Sequence, residues 1–302
     1  MENDDVVRAT AFEFVEKQVL FLGEVLPRSI LHAGFDFHGT RVPLVGPQGI
    51  FKPAVIRDVP LTITTAPRIA GREPPYHDSF EGDDLLHYRY RGTDPRHPDN
   101  LGLRRAMEMG KPLIYFHGIV PGQYLATWPV YIVGDDPEAL TFTVAVDAKH
   151  VLSGEALPGA EASVRRAYVT RLQRMRIHQA GFRLRVIAAY REMCAVCRLR
   201  HRELLDAAHI LPDRDPRGEP LVTNGLALCK LHHAAFDQNI IGIRPDLIIE
   251  VNRRVLDEID GPMLVHGLQG FHESVLSIPR RREWRPDTSL LEERYELFRA
   301  VG

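Results

Sequence analysis

Several absences narrow the field first. The 302 residues hold only three cysteines, too few for the disulfide framework of a small secreted scaffold. No apolar run approaches the roughly 18–20 residues that span a bilayer, and the opening MENDDVV lacks the basic-then-apolar layout of an export signal. A cytoplasmic location is therefore expected. No charge of one sign dominates either: the formal net charge is −2, which argues neither for nor against a nucleic-acid partner. Internal repeats and low-complexity tracts are also missing. What remains, 44% hydrophobic and 26% charged residues, is the composition of a globular protein. The length suits two domains of ordinary size or one large one.

The local distribution of charge is more informative than its sum. Between Ala162 and Arg191 there is no Asp or Glu, while Arg165, Arg166, Arg171, Arg174, Arg176, Arg183, Arg185 and Arg191 all fall there. A second basic group, Arg280-Arg281-Arg282 with Arg285, lies near the C-terminal end. Such clusters either neutralise phosphates or pair with acidic residues elsewhere in the fold. If the first, Arg174, Arg176 and Arg183 are the leading candidates.

Texture divides the chain. Residues 11–24, AFEFVEKQVLFLGE, carry apolar side chains at helical spacing. From Arg41 to Asp147, short apolar runs such as KPLIYFHGIV and GQYLATWPVYIV alternate with Pro, Gly, Asp and Asn, predicting strands joined by turns. HVLSGEALPGAEAS then reads as a linker. We expect an α+β protein: a β-rich domain over 1–155, an Arg-rich helical connector over 156–192, and a domain over 193–302 that holds all three cysteines.

Those cysteines form Cys194-Ala-Val-Cys197 and Cys229-Lys-Leu-His232. A Cys-x-x-Cys and a Cys-x-x-His knuckle supply four soft or borderline ligands, enough for a closed tetrahedral zinc site with no position left for water. The alternative, a thioredoxin-like redox pair, sits poorly with a Cys194 that follows an Arg-rich helix rather than a strand. Between and beyond the knuckles run Ala207-Ala208-His209-Ile210, Asn224-Gly225-Leu226 and His232-His233-Ala-Ala-Phe236-Asp237.

With this His209, Asn224, His233 series set around the cysteines, residues 194–237 resemble the HNH, or ββα-metal, endonucleases. The wording is similar to the modification-dependent restriction branch. The resemblance extends to Gly267-Leu268-Gln269 and, more by texture, to Gly49-Ile50-Phe51-Lys52-Pro53 and Pro121-Gly122-x-Tyr124 to Trp128-Pro129. It implies a DNA phosphodiesterase whose hairpin presents His209 as general base, and whose Asn224 orients the His209 loop or joins the metal shell. The chemistry fits: hydrolysis needs a base for water and a cation for the developing charge. His233 and Asp237, at i and i+4 on a helix, would share one face and ligate one Mg²⁺ or Mn²⁺. Spacing from Cys229 assigns His232 to zinc. Many members carry a metal-binding Asp or His where this chain has Ala208. Asp206 is near and stays a secondary candidate ligand, although odd spacing along a strand puts it on the face opposite His209.

In similar nucleases a small β-rich domain of PUA, SRA or sulfur-recognising type reads modified bases or phosphorothioate backbones. Here Tyr76, His77, Tyr88, Tyr90, Tyr124 and Trp128 would be the candidate readers, Tyr124 and Trp128 foremost. Cutting both strands needs two centres, so a homodimer or an encounter of two monomers is expected. Two other readings stay open: a non-catalytic, zinc-containing nucleic-acid-binding module, and an RNA-directed nuclease.

Overall fold

The computed structural model describes residues 2–57, 59–67, 86–146, 176–212 and 215–301. The chain divides into two compact units, Met1–Ala180 and Gly181–Gly302. The boundary falls within helical residues 176–189. Most of the proposed connector, including Arg174, and the candidate readers Tyr76 and His77 lie outside the described residues.

The first unit is a mixed sheet covered on both faces. Strands β1 (Val25–Pro27), β4 (Ile50–Phe51), β5 (Thr62–Thr65), β6 (Leu86–Arg89), β7 (Leu113–Val120), β8 (Gln123–Asp136) and β9 (Thr141–Val146) run in the order β4-β5-β7-β8-β9-β6, with β1 paired to β8. Among the described residues, only β5 and β7 pair in parallel; the other ladders are antiparallel. Strand alternation sorts the core. Ile114 and Phe116 join one hydrophobic cluster, while Leu113 and Tyr115 join the other.

Helix α1 (Glu2–Leu22) belongs to the first cluster. It starts well before the expected helix and buries Val7, Ala11 and Val15 at four-residue spacing. Helix α2 (Arg28–Ala33) and the β2–β3 hairpin (Phe35–Phe37, Thr40–Val42) complete that layer. The second cluster is capped by α3 (Pro98–Glu108), which buries Leu103 and Ala106. His97 caps α3 by accepting from the Asp99 N–H at 3.2 Å, and Pro98 opens its first turn. Pro98, Asn100 and Gly102 read as turn residues, which is why the expected run of strands omits this helix.

Among the described residues of this unit, one charged side chain is buried. Arg8 is 2% exposed, and its guanidinium donates to the carbonyls of Pro112 (2.8 Å), Val59 (3.0 Å) and Pro60 (2.9 Å). Burial lowers its pKa, against the opposing pull of Asp4. The guanidinium acts as a polar clasp across three segments.

In the second unit, β10 (Leu205–His209) and β11 (Gly225–Cys229) form an antiparallel pair in which His209 faces Gly225 and Leu205 faces Cys229. The helix Lys230–Asp237 follows at once, giving the expected ββα order. A second hairpin, β12 (Ile241–Ile243) with β13 (Ile249–Val251), packs against the helix Thr288–Val301. Helical residues 181–189 lie across the first hairpin. At Gly225 any Cβ would stand 2.4 Å from Val186 Cγ2 and 3.0 Å from the Phe182 ring, so only glycine admits the helix there. Among the described residues, no helix is long and apolar enough to cross a membrane.

Candidate metal centre and hydrolytic site

The two knuckles converge. Among the described residues, Cys194, Cys197, Cys229 and His232 are the only group of three or more potential ligands whose donor atoms lie within 4.8 Å of one another. Cys197 Sγ is 3.9 Å from Cys229 Sγ, and Cys194 Sγ is 3.7 Å from His232 Nδ1. Tetrahedral zinc, with Zn–S near 2.3 Å and Zn–N near 2.0 Å, separates its ligand atoms by about 3.6–3.8 Å. Cys229 Sγ and His232 Nδ1 are closer, at 3.1 Å.

The local chain explains the convergence. The N–H of Arg198 bonds back to Cys194 O, and that of Cys194 to Leu199 O, closing the first knuckle. Cys229 ends β11, so the second knuckle is the first turn of the following helix.

The protonation pattern also suits zinc. His232 Nε2 lies 2.8 Å from the Gly267 carbonyl. A proton held there leaves Nδ1 unprotonated, with its lone pair turned toward the space between the sulfurs. The Gly267-Leu268-Gln269 element thereby gains a role: Gly267 orients the ligand, while the Gln269 amide ties the carbonyls of Val255 and Glu258 together at 2.7 and 2.9 Å. Hydrogen bonds from Cys194 and Cys197 hold the Cys229 thiol below its usual pKa against the effect of burial, favouring the thiolate. Burial disfavours a charged His232, yet its contacts with Cys194 and Cys229 outweigh this and raise its pKa to about 9. A metal ion would displace that proton.

On the other side of the same helix turn, His233 stands between two carboxylates. Asp206 Oδ2 is 3.5 Å from its Nδ1, and Asp237 Oδ2 is 3.4 Å from its Nε2. The expected i, i+4 pair is therefore assembled, with His233 24% and Asp237 55% exposed. The Asp206 contact raises the His233 pKa, against burial. Asp206 is itself partly desolvated, but His233, the Ala207 N–H and Arg183 outweigh that and hold its pKa down to about 2. The face of β10 opposite His209 is thus the face where His233 sits. Treating that face as remote from the metal ligands missed this contact.

His209 occupies the other face. Its imidazole stacks on Phe182 at 3.9 Å and 13° between planes. Asn224 is 1% exposed and spends its amide on the loop after β10: Oδ1 accepts from Leu211 N–H at 2.9 Å, and Nδ2 donates to Leu211 O and Glu219 O, both at 3.1 Å. Of the two roles open to it, orienting the His209 loop matches these bonds.

The basic candidates are engaged within the fold. Arg183 donates to Leu205 O at 2.6 Å and contacts Asp206 at 3.3 Å, while Arg176 pairs with Glu24 at 3.0 Å. Arg281 lies over the Trp284 ring.

In the first unit, a cavity of about 250 Å³ is lined by Tyr88, Tyr90, Tyr124, Arg28, Gly49 and Thr64, among others. Arg28 donates to Gly46 O at 2.7 Å and reaches the Tyr124 hydroxyl at 3.4 Å. Thr64 Oγ1 is buried without a hydrogen-bond partner among the described residues. Trp128 packs at the edge of the α1-side core and does not line the cavity.

With this geometry in place, the comparisons can be set beside it. Residues 194–244 match the family model HNH_2, HNH endonuclease. The hairpin, the helix and the four-ligand cluster all fall in or touch that segment, and the chain carries an HNH endonuclease domain there. No curated protein matches the chain. Among solved structures, a "Modification dependent TagI restriction endonuclease" is similar at 17% identity and a TM-score of 0.32, over 92% of this chain and 88% of that one. That likeness is too low to establish fold or function.

Proposed function

We propose that the protein is a modification-dependent DNA endonuclease that hydrolyses phosphodiester bonds with one catalytic Mg²⁺ or Mn²⁺ ion. The observation that carries the reading is the ββα element itself: His209 at the end of the first strand, and His233 with Asp237 3.4 Å apart on the helix, beside a Cys₃His cluster suited to structural zinc.

His209 is the general base. Phe182 holds its ring and Asn224 holds the loop beyond it, so the imidazole is pre-oriented to take a proton from the attacking water. His233 and Asp237 are the residues that would hold the divalent ion, whose charge offsets that developing on the scissile phosphate and the departing oxygen. An attack by water that expels the 3′ oxygen leaves 5′-phosphate and 3′-hydroxyl ends. The zinc cluster fixes the start of the helix and so the direction in which His233 and Asp237 project.

Selectivity is assigned to the first unit. A cavity of about 250 Å³ with tyrosine walls, a guanidinium and a partnerless buried hydroxyl matches what an extruded base requires: flat apolar faces and a few polar groups on one edge. Tyr124 is its chief reader. Trp128 supports β8 from the α1 side. Arg176 and Arg183 act as structural ties, and Arg174 would contribute phosphate contacts. Two copies, acting as a homodimer or meeting on the DNA in the cytoplasm, would cut both strands.

Cleavage of plasmids that are unmodified, methylated, hydroxymethylated or phosphorothioated tests this reading. Divalent-ion-dependent cutting that favours one modified plasmid is the expected result. Equal cutting of all four would remove the modification dependence. Binding without cutting would make the chain a zinc-containing binding module, and cutting of RNA alone would make it an RNA-directed nuclease.

A further inference from the structure

Spacing leaves Asp206 only a secondary candidate ligand, yet its carboxylate faces His233 from the strand side, 3.5 Å from Nδ1. Its own position is held from two directions. Oδ1 accepts from the Ala207 N–H at 2.9 Å and lies 3.3 Å from Arg183 Nε, and Arg183 is anchored by its 2.6 Å bond to Leu205 O. Ala208, on the same strand face by alternation, offers no ligand atom. The imidazole of His233 stands between Asp206 and Asp237, one carboxylate at each nitrogen. The three side chains do not form a group with donor atoms mutually within 4.8 Å. Asp206 is therefore not arranged as a third ligand beside the other two; it reaches the site only through His233.

We propose that Asp206 is a positioning residue that keeps the His233 proton on Nδ1, so that Nε2 is presented as a lone pair beside Asp237. The inference rests on the reading of His233 and Asp237 as the divalent-ion ligands. A neutral imidazole carries one proton on one of two nitrogens, and the partner of one nitrogen decides what the other can do. Of the two carboxylates, Asp206 is 36% exposed and held by the Ala207 N–H and Arg183, whereas Asp237 is 55% exposed. The better held and less solvated Asp206 keeps the proton at Nδ1, which leaves Nε2 free, restricts ring rotation and raises the basicity of the ligating nitrogen. Arg183 completes the chain of contacts by fixing the carboxylate in turn. This arrangement offsets the loss of a ligand at Ala208: one protein donor fewer, but a better oriented one.

The test uses the full zinc-loaded chain as wild type, Asp206→Ala, Asp206→Asn and His233→Ala. Three quantities are read: the His233 ring tautomer by ¹⁵N NMR without added divalent ion, at a pH alkaline enough to leave the ring neutral; Mn²⁺ affinity by electron paramagnetic resonance; and kcat and KM for DNA cleavage. The expected results for Asp206→Ala are loss of the Nδ1–H tautomer, Mn²⁺ binding weaker by about 10–100-fold, and a lower kcat at nearly constant KM. Asp206→Asn, whose amide oxygen still accepts, should restore the tautomer and most of the affinity. Asp206→Thr, a strand former too short to reach the ring, carries the alanine expectation should that variant not fold. Wild-type tautomer and Mn²⁺ affinity in Asp206→Ala, alongside lost Mn²⁺ binding in His233→Ala, would overturn this inference alone. Unchanged Mn²⁺ affinity in His233→Ala would instead overturn the ion site beneath it.

Discussion

His232 and His233 are neighbours in the chain and opposites in setting. His232 is 2% exposed, faces sulfur, and has its second nitrogen bound to the Gly267 carbonyl. His233 is half-buried, faces oxygen, and has a carboxylate at each nitrogen. Successive residues on a helix project about 100° apart, so one turn serves two regions that share nothing but backbone. The lesson is that ligand softness and solvent access, more than proximity, separate a structural ion from a chemical one. A dry set of three thiols and an imidazole holds an ion for folding. A wetter imidazole–carboxylate pair leaves room for water and substrate.

The largest expected effect breaks the first region. Cys229→Ser should remove the roughly one zinc per chain that a closed four-ligand site holds and melt the second unit, since such ligation commonly supplies folding free energy outright. Metal analysis with thermal melting checks it; a wild type without tightly bound zinc would refute the assignment. His233→Ala breaks the second region only. It should abolish Mn²⁺ binding and cleavage while zinc content stays at the wild-type value and the melting temperature falls only by the small contribution of the Asp206 pair.

Arg8→Met addresses the first unit by a different route. It leaves the carbonyls of Val59, Pro60 and Pro112 without their buried donor, at a cost of about 3 kcal/mol. Chemical denaturation should register that loss, with zinc content unaffected. Tyr124→Ala should weaken binding to the preferred modified duplex by about 1–3 kcal/mol, with little change for unmodified DNA in a titration. Equal loss for both would make Tyr124 a structural residue.

The smallest effect is pH-dependent. The folded state raises the His233 pKa above its unfolded value. The pair with Asp206, whose own pKa is held down to about 2, therefore adds stability that is fully present between about pH 4 and about pH 6.5 and is lost as pH rises through the folded His233 value. Denaturation of Asp206→Asn and wild type without added divalent ion should differ more at pH 6 than at pH 9.

How far these regions are legible beforehand follows from their geometry. The Cys₃His cluster is made of two local knuckles, so spacing alone finds it, while the hairpin and helix are expected from the family resemblance, with His233 and Asp237 sharing a face as an i, i+4 pair. Asp206 is not legible in that way. Strand alternation correctly places it opposite His209, but only the packing of the Lys230–Asp237 helix reveals that His233 waits on that face. The tyrosine cavity is assembled from β4, β5, β6, β8 and the residues around Arg28. Strands β4 and β6 stand at opposite ends of the strand order, and they meet because the ends of the sheet approach each other, the Tyr88 hydroxyl donating to Thr64 O at 3.3 Å. Tyr88, Tyr90 and Tyr124 can be nominated by type, whereas Arg28 and Thr64 carry no signal. Trp128 shows the limit of nomination by type, since its ring goes to the α1-side core.

The central claim is that this chain cuts DNA with His209 as base on a zinc-stapled ββα element. The most direct test compares the wild type with His209→Ala at equal zinc content, on the same plasmid with Mg²⁺ or Mn²⁺. The account predicts that the wild type cuts and that the variant, folded and binding DNA as before, is slower by about 10²–10⁴-fold. Cleavage by the variant within about tenfold of wild type, below the range a general base contributes, would contradict it.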